Sequence, residues 1–147
     1  ALNVGAMLIA FLGLVHVANE LCNAVIGYKF EEIIGWFFQP FALMMGVPLE
    51  DVKTLGELLG KKTVLNEFLA YMDLQKAETL SERGHMIATY ALCGFANPGS
   101  LGILIAGMTS IAPERRKEIV QLGFRAFAGG TLACFATACV VGVLLYA

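Results

Sequence analysis

Apolar residues run almost without interruption from Ala1 to about Ala18, through Val4, Met7, Leu8, Ile9, Phe11, Leu12, Leu14, Val15 and Val17. Continued to about Ile26 at about 1.5 Å per residue, a helix here reaches across a hydrocarbon core of about 30 Å. Gly5 and Gly13 allow another helix to approach closely. Asn19, Glu20 and Asn23 come late, which places them at the interface or against another subunit. From Gly27 to Met45 the pattern changes. Lys29, Glu31 and Glu32 precede Ile33, Ile34, Trp36, Phe37 and Phe38, and Gln39-Pro40 follows. This stretch is too short and too interrupted to span. Aromatic residues beside charges suit a helix lying in the interface. Gly46-Val47-Pro48 then makes a turn, with Pro48 at the first position of the next helix and Glu50 and Asp51 in its first turn.

Two later stretches depart from simple spanning helices. Leu49 to Leu59 reads as a short helix ended by Gly60; Lys61-Lys62-Thr63 follow as a polar tip, and Val64 to Met72 resumes an apolar pattern. Neither arm is long enough to cross, so the pair reads as a re-entrant hairpin that enters and leaves on one side. On pattern alone an ordinary amphipathic pair outside the bilayer remains open. Asp73 to Arg83 is a polar connection, with Ser81 as a helix N-cap. Met86 to Ile111 is long enough to span, yet its centre, Ala91-Leu92-Cys93-Gly94-Phe95-Ala96-Asn97-Pro98-Gly99-Ser100-Leu101, holds two glycines, a proline and two polar side chains. Proline removes a backbone donor and glycine weakens a helix by up to about 1 kcal/mol. A discontinuous helix accounts for this, with halves from about Met86 to Cys93 and from about Ser100 to Ile111. Ser100 is placed to cap the second half. A charged loop, Ala112 to Glu118, leads to a last helix from about Ile119 to Tyr146. Arg115, Arg116 and Lys117 place that loop in the cytoplasm by the positive-inside rule, so Ala1 starts inside and Ala147 ends outside.

Composition supports a membrane protein. The 147 residues are 58% hydrophobic and 15% charged, with 16 glycines, against about 45–50% apolar and about 25% charged in soluble domains. The fold class expected is all-α and integral to the membrane: three spanning helices, the middle one discontinuous, plus one re-entrant hairpin and an interfacial helix. The net charge of −2 gives no electrostatic case for nucleic acid. Cys22, Cys93, Cys134 and Cys139 lie in apolar segments with no C-x-x-C, and read as small packing residues. His16 and His85 have no partner at metal-ligand spacing, so no metal site is expected. The chain enters an apolar run at once, without an initiator Met or a basic stretch before a cleavage site. It therefore reads as a piece of a longer protein that begins upstream, without a signal peptide.

The candidate chemistry is polar and non-hydrolytic. Glu67 lies in an apolar run near the hairpin tip, where a carboxylate is expensive and marks function. Ionised, it can accept from two neighbouring hydroxyls of a sugar. Asn66 beside it orients the tip or bonds backbone. Asn97 and Ser100, three apart, share a face of a resumed helical turn or cap it, and Phe95 offers a ring for a planar or sugar ligand. Lys62 can pair with a tip carboxylate or backbone carbonyls, although a lysine in a turn is more often solvated. No G-x-S-x-G, H-E-x-x-H or phosphate-binding glycine loop occurs, which argues against an enzyme. The physics alone leads to a transporter of unspecified substrate.

Gly60-Lys61-Lys62-Thr63-Val64-Leu65-Asn66-Glu67-Phe68-Leu69-Ala70-Tyr71 resembles the G-x-K-x-x-x-N-E-F-x-A-Y motif of concentrative nucleoside transporters. Ile87 to Asn97, with Ser100, resembles that family's second motif, and Gly46-Val47-Pro48 and Ala112 to Arg116 also fit. His85 and Pro98 depart from the family's usual small or apolar residues. The resemblance covers essentially the whole chain and matches the C-terminal half of a nucleoside:cation symporter. It implies a scaffold-type helix over 1–27, an interfacial helix and turn over 28–47, and a transport-domain half over 48–147. Within that half, the resemblance gives the hairpin 48–76, the discontinuous helix 81–111 and the last helix 114–147. It implies ribose contacts from Glu67, Asn97 and Ser100, with Phe95 lining the pocket and Asn66 and Lys62 in support. It further implies Na⁺ or H⁺ coupling at a site outside this chain, and no covalently bound cofactor. The partners implied are the N-terminal half of the protomer, a homotrimer and the bilayer of a cell membrane, crossed several times. The alternative is a non-transporting membrane assembly module sharing the half-fold.

Overall fold

The computed structural model describes residues 2–145, and all regular elements among them are helical. The chain order is α1 (Leu2–Ile26), α2 (Phe30–Met44), α3 (Val52–Val64), α4 (Glu67–Leu74), α5 (Glu82–Leu92), α6 (Pro98–Ile111) and α7 (Arg116–Leu144), with a 3₁₀ turn at Pro113–Arg115 before α7. Tyr146 and Ala147, expected in or after the last helix, lie outside the described residues, as does Ala1. By length and composition, Ile9–Ile26 and Pro113–Leu144 are each sufficient to cross a membrane.

α1 and α2 end in glycines with left-handed backbone, Gly27 at φ 80° and Gly46 at φ 81°. This is the conformation a helix C-terminus favours and glycine adopts without strain. Glycine's other use here is contact. α2 lies against α3 through Gly35, Gly56 and Gly60, all buried. A Cβ on Gly60 would run into the Glu31 carbonyl and stand 2.6 Å from the Gly35 nitrogen. Gly60 therefore does not end the first arm of the hairpin, contrary to the sequence reading. α3 continues through Lys61 and Lys62 to Val64, and the turn between the arms is Leu65-Asn66. Pro40 is carried inside α2 without breaking it.

The start of α3 also differs from expectation. Pro48 to Asp51 form a turn closed by Asp51 N–H on the Pro48 carbonyl at 2.9 Å, and the helix begins at Val52. Asp51 is buried and does not cap its own helix. Its carboxylate instead accepts from the Ser81 amide and hydroxyl, while Ser81 Oγ accepts from Gly84 N–H at 3.0 Å as the N-cap of α5. At the same end Arg83 donates to the carbonyls of Gly46 at 2.9 Å and Gly142 at 2.7 Å. The side-chain oxygen of Asn19 accepts from Phe30 N–H at 3.1 Å and so ties α1 to the start of α2.

The core is the layer where α2, α3, α5 and α7 meet. Leu55, Leu59, Ile87, Ala88, Ala91, Leu92 and Ala138 are buried in it, and Phe135 of α7 packs edge-on to Phe38 of α2 at 5.8 Å between centroids. Along α1, α6 and α7 the outer apolar side chains stay exposed, among them Ile9, Leu14, Leu104 and Leu132.

Candidate functional site

The site is built from two interruptions that face each other. The first is the turn between α3 and α4. Asn66 is in extended backbone and its side-chain oxygen accepts from Leu69 N–H at 2.9 Å, so it caps α4. That cap makes Glu67 the first residue of α4, beside the positive end of its own helix. The second interruption is the chain between α5 and α6. Cys93 leaves the helical conformation, and Asn97, extended at φ −144°, caps α6 by accepting from Ser100 N–H at 2.8 Å. The cap is therefore Asn97 and not Ser100. Pro98 takes the first helical position, where its missing N–H is harmless and its ring is pre-set for the helix. This resolves the oddity of a proline after Asn97.

Asn97 also joins the two interruptions. Its side-chain NH₂ donates to Glu67 Oε2 at 3.0 Å, while its oxygen is held by α6. Asn97 is buried at 1% exposure with both ends of its amide used. Glu67 thus meets the positive ends of two helices, its own and α6, an arrangement complementary to an anionic side chain.

Above this pair opens a cleft of about 720 Å³, inside the range of about 300–1,000 Å³ typical of small-molecule sites. Glu67, Asn66, Phe95, Asn97 and Ser100 all line it. Phe95 is 78% exposed, a large ring presented to the opening. Lys62 is not part of the lining. It is neither in a turn nor solvated, but lies in α3 behind the wall, 2% exposed, with Nζ donating to the Ala91 carbonyl at 3.0 Å. Further walls come from Phe11 and Leu12 of α1, from Leu101 and Leu104 of α6 and from Phe127, Gly130 and Cys134 of α7. Sequence reasoning missed these. They are apolar or small positions on long apolar helices, with no local signal to set them apart. Cys93 is exposed at the break rather than packed, and all four cysteines are free. Among the described residues no cluster of three His, Cys, Asp or Glu side chains is arranged to hold a metal ion.

Comparison with known proteins adds to this geometry. The family described as "Na+ dependent nucleoside transporter C-terminus" matches residues 1–142. Solute carrier family 28 member 3 of Mus musculus is 44% identical over 164 residues, covering 97% of this chain and 23% of that protein. Sodium/nucleoside cotransporter 1 of Mus musculus is 37% identical, covering 97% of this chain and 25% of that protein. The solved structure of CNTnw in an inward-facing substrate-bound state matches with a TM-score of 0.83 at 37% identity, covering 99% of this chain and 36% of that one. The chain spans about a quarter of the length of these mammalian relatives.

Proposed function

This chain belongs to the family of sodium-dependent nucleoside transporter C-terminal regions, and from that membership we propose that it is the part of a nucleoside:Na⁺ symporter that holds the ribose. The observation that carries the proposal is the bond from Asn97 to Glu67 at the floor of the cleft. One carboxylate oxygen accepts from Asn97, and the remaining acceptor capacity of Glu67 takes hydroxyl donors, which a ribose offers in a neighbouring pair. Hydrogen bonds to an ionised acceptor are about twice as strong as neutral ones. Ser100, in the first turn of α6, adds a hydroxyl that both donates and accepts, and Phe95 covers an apolar face of the sugar. A ligand lacking ribose hydroxyls leaves Glu67 without these donors, which is a basis for selectivity.

In the bilayer, α1 and α7 cross. α5 and α6, at about 16 and 21 Å by helical rise, are each too short and cross together as one discontinuous helix. α3 and α4 form the re-entrant hairpin, and α2 lies at the interface with Trp36 and Tyr28 in edge contact at 4.9 Å. Hairpin and broken helix move as one unit past α1, the scaffold-type helix, and the full protein assembles as a trimer in the cell membrane. Sodium is the coupling ion we favour, because the family and the sodium/nucleoside cotransporter 1 of Mus musculus are both named for it. Its site and the recognition of the base belong to parts of the protein outside this chain.

The test is uptake of labelled uridine by proteoliposomes holding the full-length protein. An inward Na⁺ gradient is expected to drive uridine above its equilibrium level, and collapse of the gradient to abolish the excess. Equal uptake with and without the gradient would contradict sodium symport.

A further inference from the structure

Among the described residues, the largest side chain that the fold buries completely is a lysine, Lys62. An ammonium withdrawn from water is costly unless it is paired. Its neighbour Lys61 shows the ordinary alternative, an ion pair with Asp73 on a partly exposed face of the same helix. Lys62 turns instead towards the end of α5, where the last carbonyls of the helix lose their helical donors because the chain departs at Cys93.

Two of those carbonyls, and that of the C-cap Cys93, are supplied from outside the helix. Lys62 of α3 donates to Ala91, the Tyr71 hydroxyl of α4 donates to Thr89 at 2.6 Å, and the Cys134 thiol of α7 donates to Cys93 at 3.1 Å. Both arms of the hairpin and α7 therefore converge on one helix end. Of the three donors only Lys62 carries a charge, and it faces the negative end of α5. A neutral donor would satisfy the Ala91 carbonyl at far lower desolvation cost, so the positive charge is what requires explanation.

We propose that Lys62 is a positioning residue for the nucleoside site: its ammonium clamps the carbonyl end of α5 to the hairpin, keeping hairpin tip and helix break in register. This rests on the reading of Glu67 as the ribose-binding carboxylate. Lys62 itself touches no substrate, since it lies behind the wall of the cleft.

The experiment compares Lys62→Met, which removes donor and charge, with Lys62→Gln, which keeps a donor, in the full-length protein. Two readouts are taken: uridine KM in proteoliposomes, and amide hydrogen exchange at residues 93–97 of the purified protein without nucleoside. Lys62→Met is expected to raise KM by about tenfold or more, the equivalent of one charge-assisted hydrogen bond, with Lys62→Gln between it and the wild type. Exchange at 93–97 is expected to rise in both variants, most in Lys62→Met, while exchange in the first turns of α3 stays as in the wild type. A normal KM with reduced yield of folded protein would overturn the inference, because Lys62 would then only fill the core. Lys62→Gln matching the wild type in both readouts would overturn the role of charge. Failure of both variants to fold would assign Lys62 to folding and overturn it as well. If the wild type takes up no uridine, the nucleoside reading fails separately, and exchange at 93–97 still decides the clamp: unchanged exchange overturns it.

Discussion

Glu67 and Asn97, thirty residues apart in sequence, meet through a hydrogen bond of 3.0 Å that joins the turn between α3 and α4 to the chain between α5 and α6. Asn97 can do this because its amide has two ends. The oxygen caps α6, and the nitrogen is left for Glu67.

This division of labour makes two substitutions at Asn97 separable. Asn97→Asp keeps the capping oxygen but sets a carboxylate against Glu67. Nucleoside uptake is expected to be lost, and like-charge repulsion at this distance to lower the apparent Tm. Asn97→Ala removes the cap as well, with a loss of about 1 kcal/mol from α6. Thermal unfolding and uptake of the two full-length variants check the pair. Normal uptake by Asn97→Asp would show that the Glu67 bond is not needed.

Gly60 gives a prediction whose sign runs against helix propensity. Alanine in place of glycine in a helix ordinarily adds up to about 1 kcal/mol. Here the new methyl meets the backbone of Glu31 and Gly35, which cannot rotate away. Gly60→Ala is expected to destabilise the protein by on the order of 1–3 kcal/mol, as overpacking does. A lowered Tm confirms the packing account, and a raised one refutes it.

Asp51 and Ser81 form one unit that fastens the start of α3 to the start of α5. Asp51→Ala leaves the Ser81 amide without its acceptor and is expected to cost about 1–3 kcal/mol. Ser81→Ala removes the N-cap of α5 and is expected to cost about 1 kcal/mol. Because the two share partners, the double variant is expected to lose less than the sum of the single losses. Additive losses would mean that the two groups act independently.

Much of this arrangement is legible in the chain because lipid makes polar and helix-breaking residues expensive. Glu67 in an apolar run, and Asn97-Pro98-Gly99 in another, stand out against their surroundings for that reason. The all-helical fold follows from the same apolar runs. What escaped the sequence reading depends on neighbours distant along the chain. Gly60 looks like a helix terminator until α2 is seen to lie across it, and moving the turn to Leu65-Asn66 carries Lys62 from a polar tip into the core. Phe11, Phe127 and Cys134 line the cleft only because α1 and α7 happen to face it, and nothing in an apolar helix marks which of its faces does so. Asn97 in place of Ser100 as the cap, with Pro98 as the first helical residue, was within reach of local rules.

The measurement that bears most directly on the central claim is Na⁺-driven uridine accumulation by full-length protein carrying Glu67→Gln. The substitution keeps the size of the side chain and removes the charge that is proposed to accept the ribose hydroxyls. Concentrative uptake is expected to be abolished while the protein still folds and inserts. Uptake at the wild-type rate and KM would contradict the assignment of Glu67 to the nucleoside site.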